Sequence, residues 1–78
     1  MNMRPAKRSL TLHGHRTSVS LEDAFWAEFR KIAEKEGKPI NALAAELDAK
    51  RGTDCGLASA IRLFVLDYVL RQTPDESD

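Results

Sequence analysis

Cysteine is almost missing from this chain: Cys55 stands alone among 78 residues, so no internal disulfide can form. With only His13 and His15 beside it, a closed Cys/His zinc site lacks its four ligands. A lone thiol fits a reducing compartment, and a cytoplasmic location is expected. No apolar run approaches the roughly 20 residues of a membrane span, so no membrane partner is expected. Residues 1–8 are basic, yet no apolar run follows them, and they are not read as a secretory signal. A Gly-rich phosphate loop, a hydrolase triad and a His-Glu-x-x-His pattern are all lacking. The chain is therefore not expected to be an enzyme, and no cofactor or metal is expected.

Length limits what remains. Seventy-eight residues make one domain. A chain of this size buries only about 60% of its unfolded surface, so its core is marginal. With disulfides and metals set aside, association with a second copy is the remaining remedy.

Acids and bases balance, at 12 each. Their distribution does not. Residues 1–21 carry Arg4, Lys7, Arg8 and Arg16, both histidines and no acid, whereas the last six residues carry Asp75, Glu76 and Asp78 and no base. The pattern predicts a flexible basic arm over residues 1–8, a folded domain over 9–72 and an acidic disordered tail over 73–78.

Residues 9–21 are rich in hydroxyl and β-branched side chains and read as strand. Thr17, Val19 and Leu21 alternate with Arg16, Ser18 and Ser20, the period of a half-buried strand. Leu10 and Leu12 have the opposite parity. A bulge or break at Gly14 reconciles the two runs. A hairpin turn at His13-Gly14 is the other possibility, with short arms that are marginal in isolation.

Three helices are expected next. Over residues 22–36, Phe25, Phe29, Ile32 and Ala33 mark one face, Trp26 widens it, Ser20 and Asp23 resemble a capping box, and Gly37 is a natural stop. A second helix over 39–50 opens with Pro39 in its first turn and ends before Gly52. A third, from about Cys55 to Arg71, is capped by Thr53 or Asp54. Leu57, Ile61, Phe64, Val65 and Tyr68 line one side of it, and Leu63, Leu66, Val69 and Leu70 cover much of the rest. A helix so apolar must be covered on more than one side, and a second subunit is the natural cover.

A strand cannot satisfy its own backbone groups. If there is one strand per chain, its partner is most simply the same strand of another copy, and a two-fold axis gives an antiparallel two-stranded ribbon. Such a ribbon fits the major groove of double-stranded DNA, where Arg16 can bond guanine and Ser18 and Ser20 can bond several bases. The plain alternative is a surface strand with solvated hydroxyls. On this reading Arg4, Lys7 and Arg8 contact the DNA backbone or an adjacent minor groove, while Val19, Leu21, Phe25, Phe29, Ile61, Phe64, Val65 and Tyr68 build the shared dimer core. The groove-reading surface then depends on the second copy. The remaining singular residues have simpler roles: His13 and His15 as solvated side chains, Cys55 as a small packing residue and Trp26 as core or dimer interface.

Two segments resemble a known family. The run Arg16-Thr17-Ser18-Val19-Ser20-Leu21 before an acidic helix start is similar to the strand of the ribbon-helix-helix (Arc/MetJ-like) DNA-binding family. The run Leu57-Ala58-Ser59-Ala60-Ile61-Arg62-Leu63-Phe64-Val65-Leu66-Asp67-Tyr68 is similar to its second helix. Ser59 lies one place closer to Ile61 than in the recurrent form, and residues 38–52 insert an additional helix, as in an extended bacterial subfamily. The resemblance implies a mostly α, β-α-α-α intertwined homodimer with an intermolecular ribbon, acting as a transcriptional repressor. It also implies phosphate contacts at the start of the last helix, at Thr53, Cys55 and Gly56, with Lys50 and Arg51 nearby. The alternative implied function is an antitoxin-like or scaffold dimer, holding a partner protein through residues 38–52 or the tail.

Overall fold

The computed structural model describes residues 3–52 and 55–72. Two antiparallel strands, β1 (Ala6–Leu12) and β2 (His15–Leu21), precede three helices: α1 (Asp23–Lys35), α2 (Ile40–Arg51) and α3 (Leu57–Gln72). The ribbon of the expected ribbon-helix-helix fold is present, and so is the additional helix. The difference lies in where the ribbon's second strand comes from. β2 pairs with β1 of its own chain, and β1 begins at Ala6, inside the span expected to be a flexible arm.

The parity change is the physical reason. Leu12 pairs with His15 across a two-residue turn, and pairing continues through Leu10↔Thr17 and Arg8↔Val19 to Ala6↔Leu21. Even-numbered residues of β1 therefore share a face with odd-numbered residues of β2. Leu10, Leu12, Val19 and Leu21, discordant along one continuous strand, all turn inward and are buried. The turn needs positive φ at both central residues, the type I′ geometry that matches strand twist. His13 at φ 52° and Gly14 at φ 81° supply it.

The core lies between this ribbon and the helices. Phe29, Ile32 and Ala33 of α1, Leu43, Ala44 and Leu47 of α2, and Ile61 and Val65 of α3 are buried against the four inward strand residues. Phe25, Phe64 and Tyr68 pack on this cluster half-exposed. Phe29 sits edge-on to Phe64, with ring centroids 6.1 Å apart, and Trp26 tilts against its other side at 6.3 Å. Residues expected to form a core between two copies thus already form one within a single chain.

Helix boundaries follow local chemistry. α1 ends in a Schellman motif: the Lys38 N–H donates to Ala33 O, the Gly37 N–H donates to Glu34 O, and Gly37 adopts φ 69°. At its start the expected capping box does not form. Glu22 is the N-cap and makes no side-chain cap bond, because Asp23 and Glu22 are both drawn to arginines from other elements. Pro39 is the N-cap of α2, one place ahead of the expected first helical position. Gly56, rather than Thr53 or Asp54, immediately precedes α3 and accepts from the Ala60 N–H. Thr53, Asp54 and the expected tail 73–78 lie outside the described residues.

Candidate nucleic-acid interface

The face of the ribbon turned away from the core is built by register. Three cross-strand pairs point outward: Lys7↔Ser20, Ser9↔Ser18 and Thr11↔Arg16. All six residues are exposed. They comprise two cations and four hydroxyls, with no carboxylate on either strand. No ion pair occupies Lys7 or Arg16 among the described residues. Arg16, Ser18 and Ser20 lie on the face expected of them. Lys7, expected to act from a flexible arm, joins them there, and Ser9 and Thr11 were not anticipated. The parity change around His13-Gly14 is the signal that would have revealed both.

Each outer edge of the ribbon takes one hydrogen bond from a helix side chain. On β1, the Thr11 N–H donates to Asn41 Oδ1 of α2 at 3.0 Å. On β2, the Ser20 carbonyl accepts from Arg62 of α3 at 3.3 Å. Leu57, at the start of α3, lines a shallow cleft of about 300 Å³ with Thr17, Ser18, His13, His15 and Arg51.

Two arginines staple the ribbon to the helices. Arg8, expected to contact the DNA backbone, instead turns toward the core side. It pairs with Asp23, donates to the Leu21 carbonyl at 3.3 Å and lies 5.6 Å above the Trp26 ring. Arg62 grips Glu22 through both carboxylate oxygens, at 2.9 and 3.0 Å, and lies 6.0 Å from the Phe25 ring. Neither staple was legible locally, because the partners are 15 and 40 residues apart in sequence.

The Arg62 hydrogen bond holds the Glu22 carboxyl below its ordinary value of 4.5, with the Glu22 backbone acting in the same direction. A lowered folded-state pKa means that the unfolded chain binds the proton more tightly. The contribution of the pair is therefore present above pH 4.5 and fades as pH falls through the depressed folded value. Glu22→Gln is expected to flatten the acid limb of a stability–pH profile measured by urea unfolding. An unaltered limb would mean that the staple carries no pH dependence.

The expected phosphate contacts are distributed unevenly. Arg4 is exposed just ahead of β1, and Lys50 is exposed near the end of α2. Arg51 is occupied: its Nε donates to Asp48 Oδ1 at 2.7 Å and its Nη1 donates to the Cys55 carbonyl at 2.8 Å, tying the end of α2 to the approach to α3. Cys55 is half-buried and Gly56 exposed. No group of three or more metal-ligating side chains is arranged to hold an ion among the described residues. No described helix is long and apolar enough to cross a membrane.

A two-stranded ribbon with a basic, hydroxyl-rich outer face, carried on helices, is the architecture of the ribbon-helix-helix class. The family comparison agrees, since the sequence model of the ribbon-helix-helix domain matches residues 5–69. This chain belongs to the ribbon-helix-helix domain family, whose members are DNA-binding transcription regulators and generally not enzymes. Comparisons with curated proteins and with solved structures find no match.

Proposed function

We propose that this protein is a sequence-specific, double-stranded-DNA-binding repressor of transcription that works as a homodimer. The observation that carries the reading is the ribbon's outer face: Arg16, Ser18 and Ser20 stand exposed in one row on an acid-free surface. Arginine bonds guanine O6 and N7 in bidentate fashion, and serine donates to or accepts from several bases. Lys7 stands on the same face, and Arg4, Lys7 and Lys50 supply backbone contacts on this reading.

The homodimer is supported by α3. Leu63, Leu66 and Leu70 recur on one side of the helix and stay largely exposed, at 63%, 52% and 64%. Three leucines in one stripe call for a cover, and a second copy of the same helix supplies one by symmetry. A foreign protein on that stripe is the antitoxin-like or scaffold reading. The α2 segment favoured for that role spends Leu43, Ala44 and Leu47 on the chain's own core.

Selection from a randomised duplex pool, followed by mobility shifts at two salt concentrations, tests the reading. A defined enriched motif and affinity that falls steeply with salt are expected, because phosphate neutralisation releases counterions. Failure to enrich any sequence would remove base reading. Co-purification of a second protein seated on α3 would favour the partner-binding alternative.

A further inference from the structure

We infer that the groove between α1 and α2 is a binding site for a small organic phosphate, of sugar-phosphate or mononucleotide size, held by Arg30, Lys31 and Lys38. No ribbon residue lines this groove, so the inference does not rest on the DNA-binding reading.

Local sequence builds the groove. Ala27, Arg30, Lys31 and Glu34 recur at i, i+3, i+4 and i+7 and so share one side of α1. The turn at Gly37 then reverses the chain, and the Lys38 N–H donates to Ala33 O at 2.9 Å. Lys38 and Ile40 thereby return beside α1 as the opposite wall. The concavity holds about 500 Å³, within the usual size of a small-molecule site. Ala27, the buried Ala33 and Ile40 give it an apolar lining on which the carbon body of a ligand can rest.

Charge identifies the occupant. Three cations and one carboxylate, Glu34, line the groove. Solvated cations scattered over a helix are ordinary, but here cations from α1 and from the turn after it converge on one concavity. Arg30 is exposed and has no ion-pair partner among the described residues, although Glu34 stands one helical turn on. Its guanidinium can take a phosphate in bidentate fashion. Lys31 is bonded to Glu28 at 3.3 Å, and Lys38 to Glu46 at 2.9 Å. Both pairs are exposed to solvent and therefore weak, and each ammonium keeps further donors for a ligand. A phosphate monoester brings up to about two negative charges and three strong acceptor oxygens, enough to meet all three cations.

Calorimetric titration with adenosine 5′-monophosphate and with ribose 5-phosphate tests the site, with adenosine as the uncharged control. Saturable binding of at least one phosphate is expected, with none for adenosine, and the backbone amides of Arg30, Lys31 and Lys38 should shift in NMR spectra. Arg30→Gln is expected to weaken that binding about tenfold, the size of a lost charged hydrogen bond. Arg71→Gln removes an equal charge from an exposed site on α3 and should leave it unchanged. Both positions are exposed, and a thermal melt verifies that each variant folds. The DNA backbone offers the same phosphoryl chemistry, so mobility shifts with duplex separate the two sources, and Arg30→Gln is expected to keep the parent's affinity for duplex. Absence of saturable binding by either phosphate would overturn the inference, and a fall in duplex affinity alongside it would make the groove a DNA contact. Equal weakening by Arg71→Gln, or shifts at Lys7 and Arg16 in place of the groove, would also overturn it.

Discussion

Phe29→Ala is expected to destabilise the fold by about 3–5 kcal/mol, the usual cost of emptying a buried phenylalanine site. Phe29 is fully buried at the point where α1 meets α3, and it contacts Trp26 on one side and Phe64 on the other. Leu21 and Ile61, the other two fully buried large side chains, share its core cluster. Collapse around the cavity is limited, because the ring's neighbours are themselves fixed: Trp26 lies under Arg8, and Phe64 lies against Tyr68 at 6.0 Å. A chain of this length has a total stability of roughly 4–12 kcal/mol, so a quarter of it or more would be lost. Urea unfolding followed by circular dichroism measures the change. A loss below about 1 kcal/mol would show that the helices are not held by this ring.

Arg16→Ala is expected to weaken binding to the preferred duplex by roughly 1–3 kcal/mol and to blunt sequence choice, as loss of a bidentate base contact does. Arg16 sits next to the turn, opposite Thr11, on the exposed face and without an ion-pair partner among the described residues. Removing it costs the fold little, so the change in binding reports on recognition. Titrations against preferred and unrelated duplex at equal salt separate two roles. A loss confined to the preferred duplex marks a base reader. An equal loss on both would make Arg16 a phosphate contact.

The helices were legible because their signals are local. Phe25, Phe29 and Ile32 repeat at helical spacing, Gly37 and Gly52 punctuate, and the observed bounds of α1 and α2 lie within one residue of those expected. The strands were only half legible. The period of residues 16–21 identifies which side of β2 faces outward, but it leaves a bulge and a hairpin turn at His13-Gly14 both open. His13-Gly14 lacks the Asn-Gly or Asp-Gly pair that usually announces a type I′ turn. The opposite parity of Leu10 and Leu12 fits a bulge in one strand as well as the reversal of direction that the structure shows. The same weak turn signal makes residues 6–8 read as an arm, where the structure begins β1 at Ala6.

Charge was the other place where local reading failed. Arg51 has Asp48 three residues before it, but Arg8 looks alike in sequence to Arg16, and nothing near it in the chain separates a staple from a free cation. Folding does so, by bringing Asp23 to Arg8 and by placing Asp48 and the Cys55 carbonyl around Arg51. The apolar surplus of α3 was visible from the start, and its consequence is now specific. Ile61 and Val65 serve the chain's own core, while Leu63, Leu66 and Leu70 are left facing outward.

Titrating isotope-labelled protein with its selected duplex, and following each backbone amide by NMR, addresses the outer ribbon face most directly. The largest perturbations should fall on Lys7, Ser9 and Thr11 of β1 and on Arg16, Ser18 and Ser20 of β2, with the buried strand positions and the exposed side of α3 moving less. Perturbations concentrated on α2 or α3, with both strands unmoved at saturation, would contradict the account.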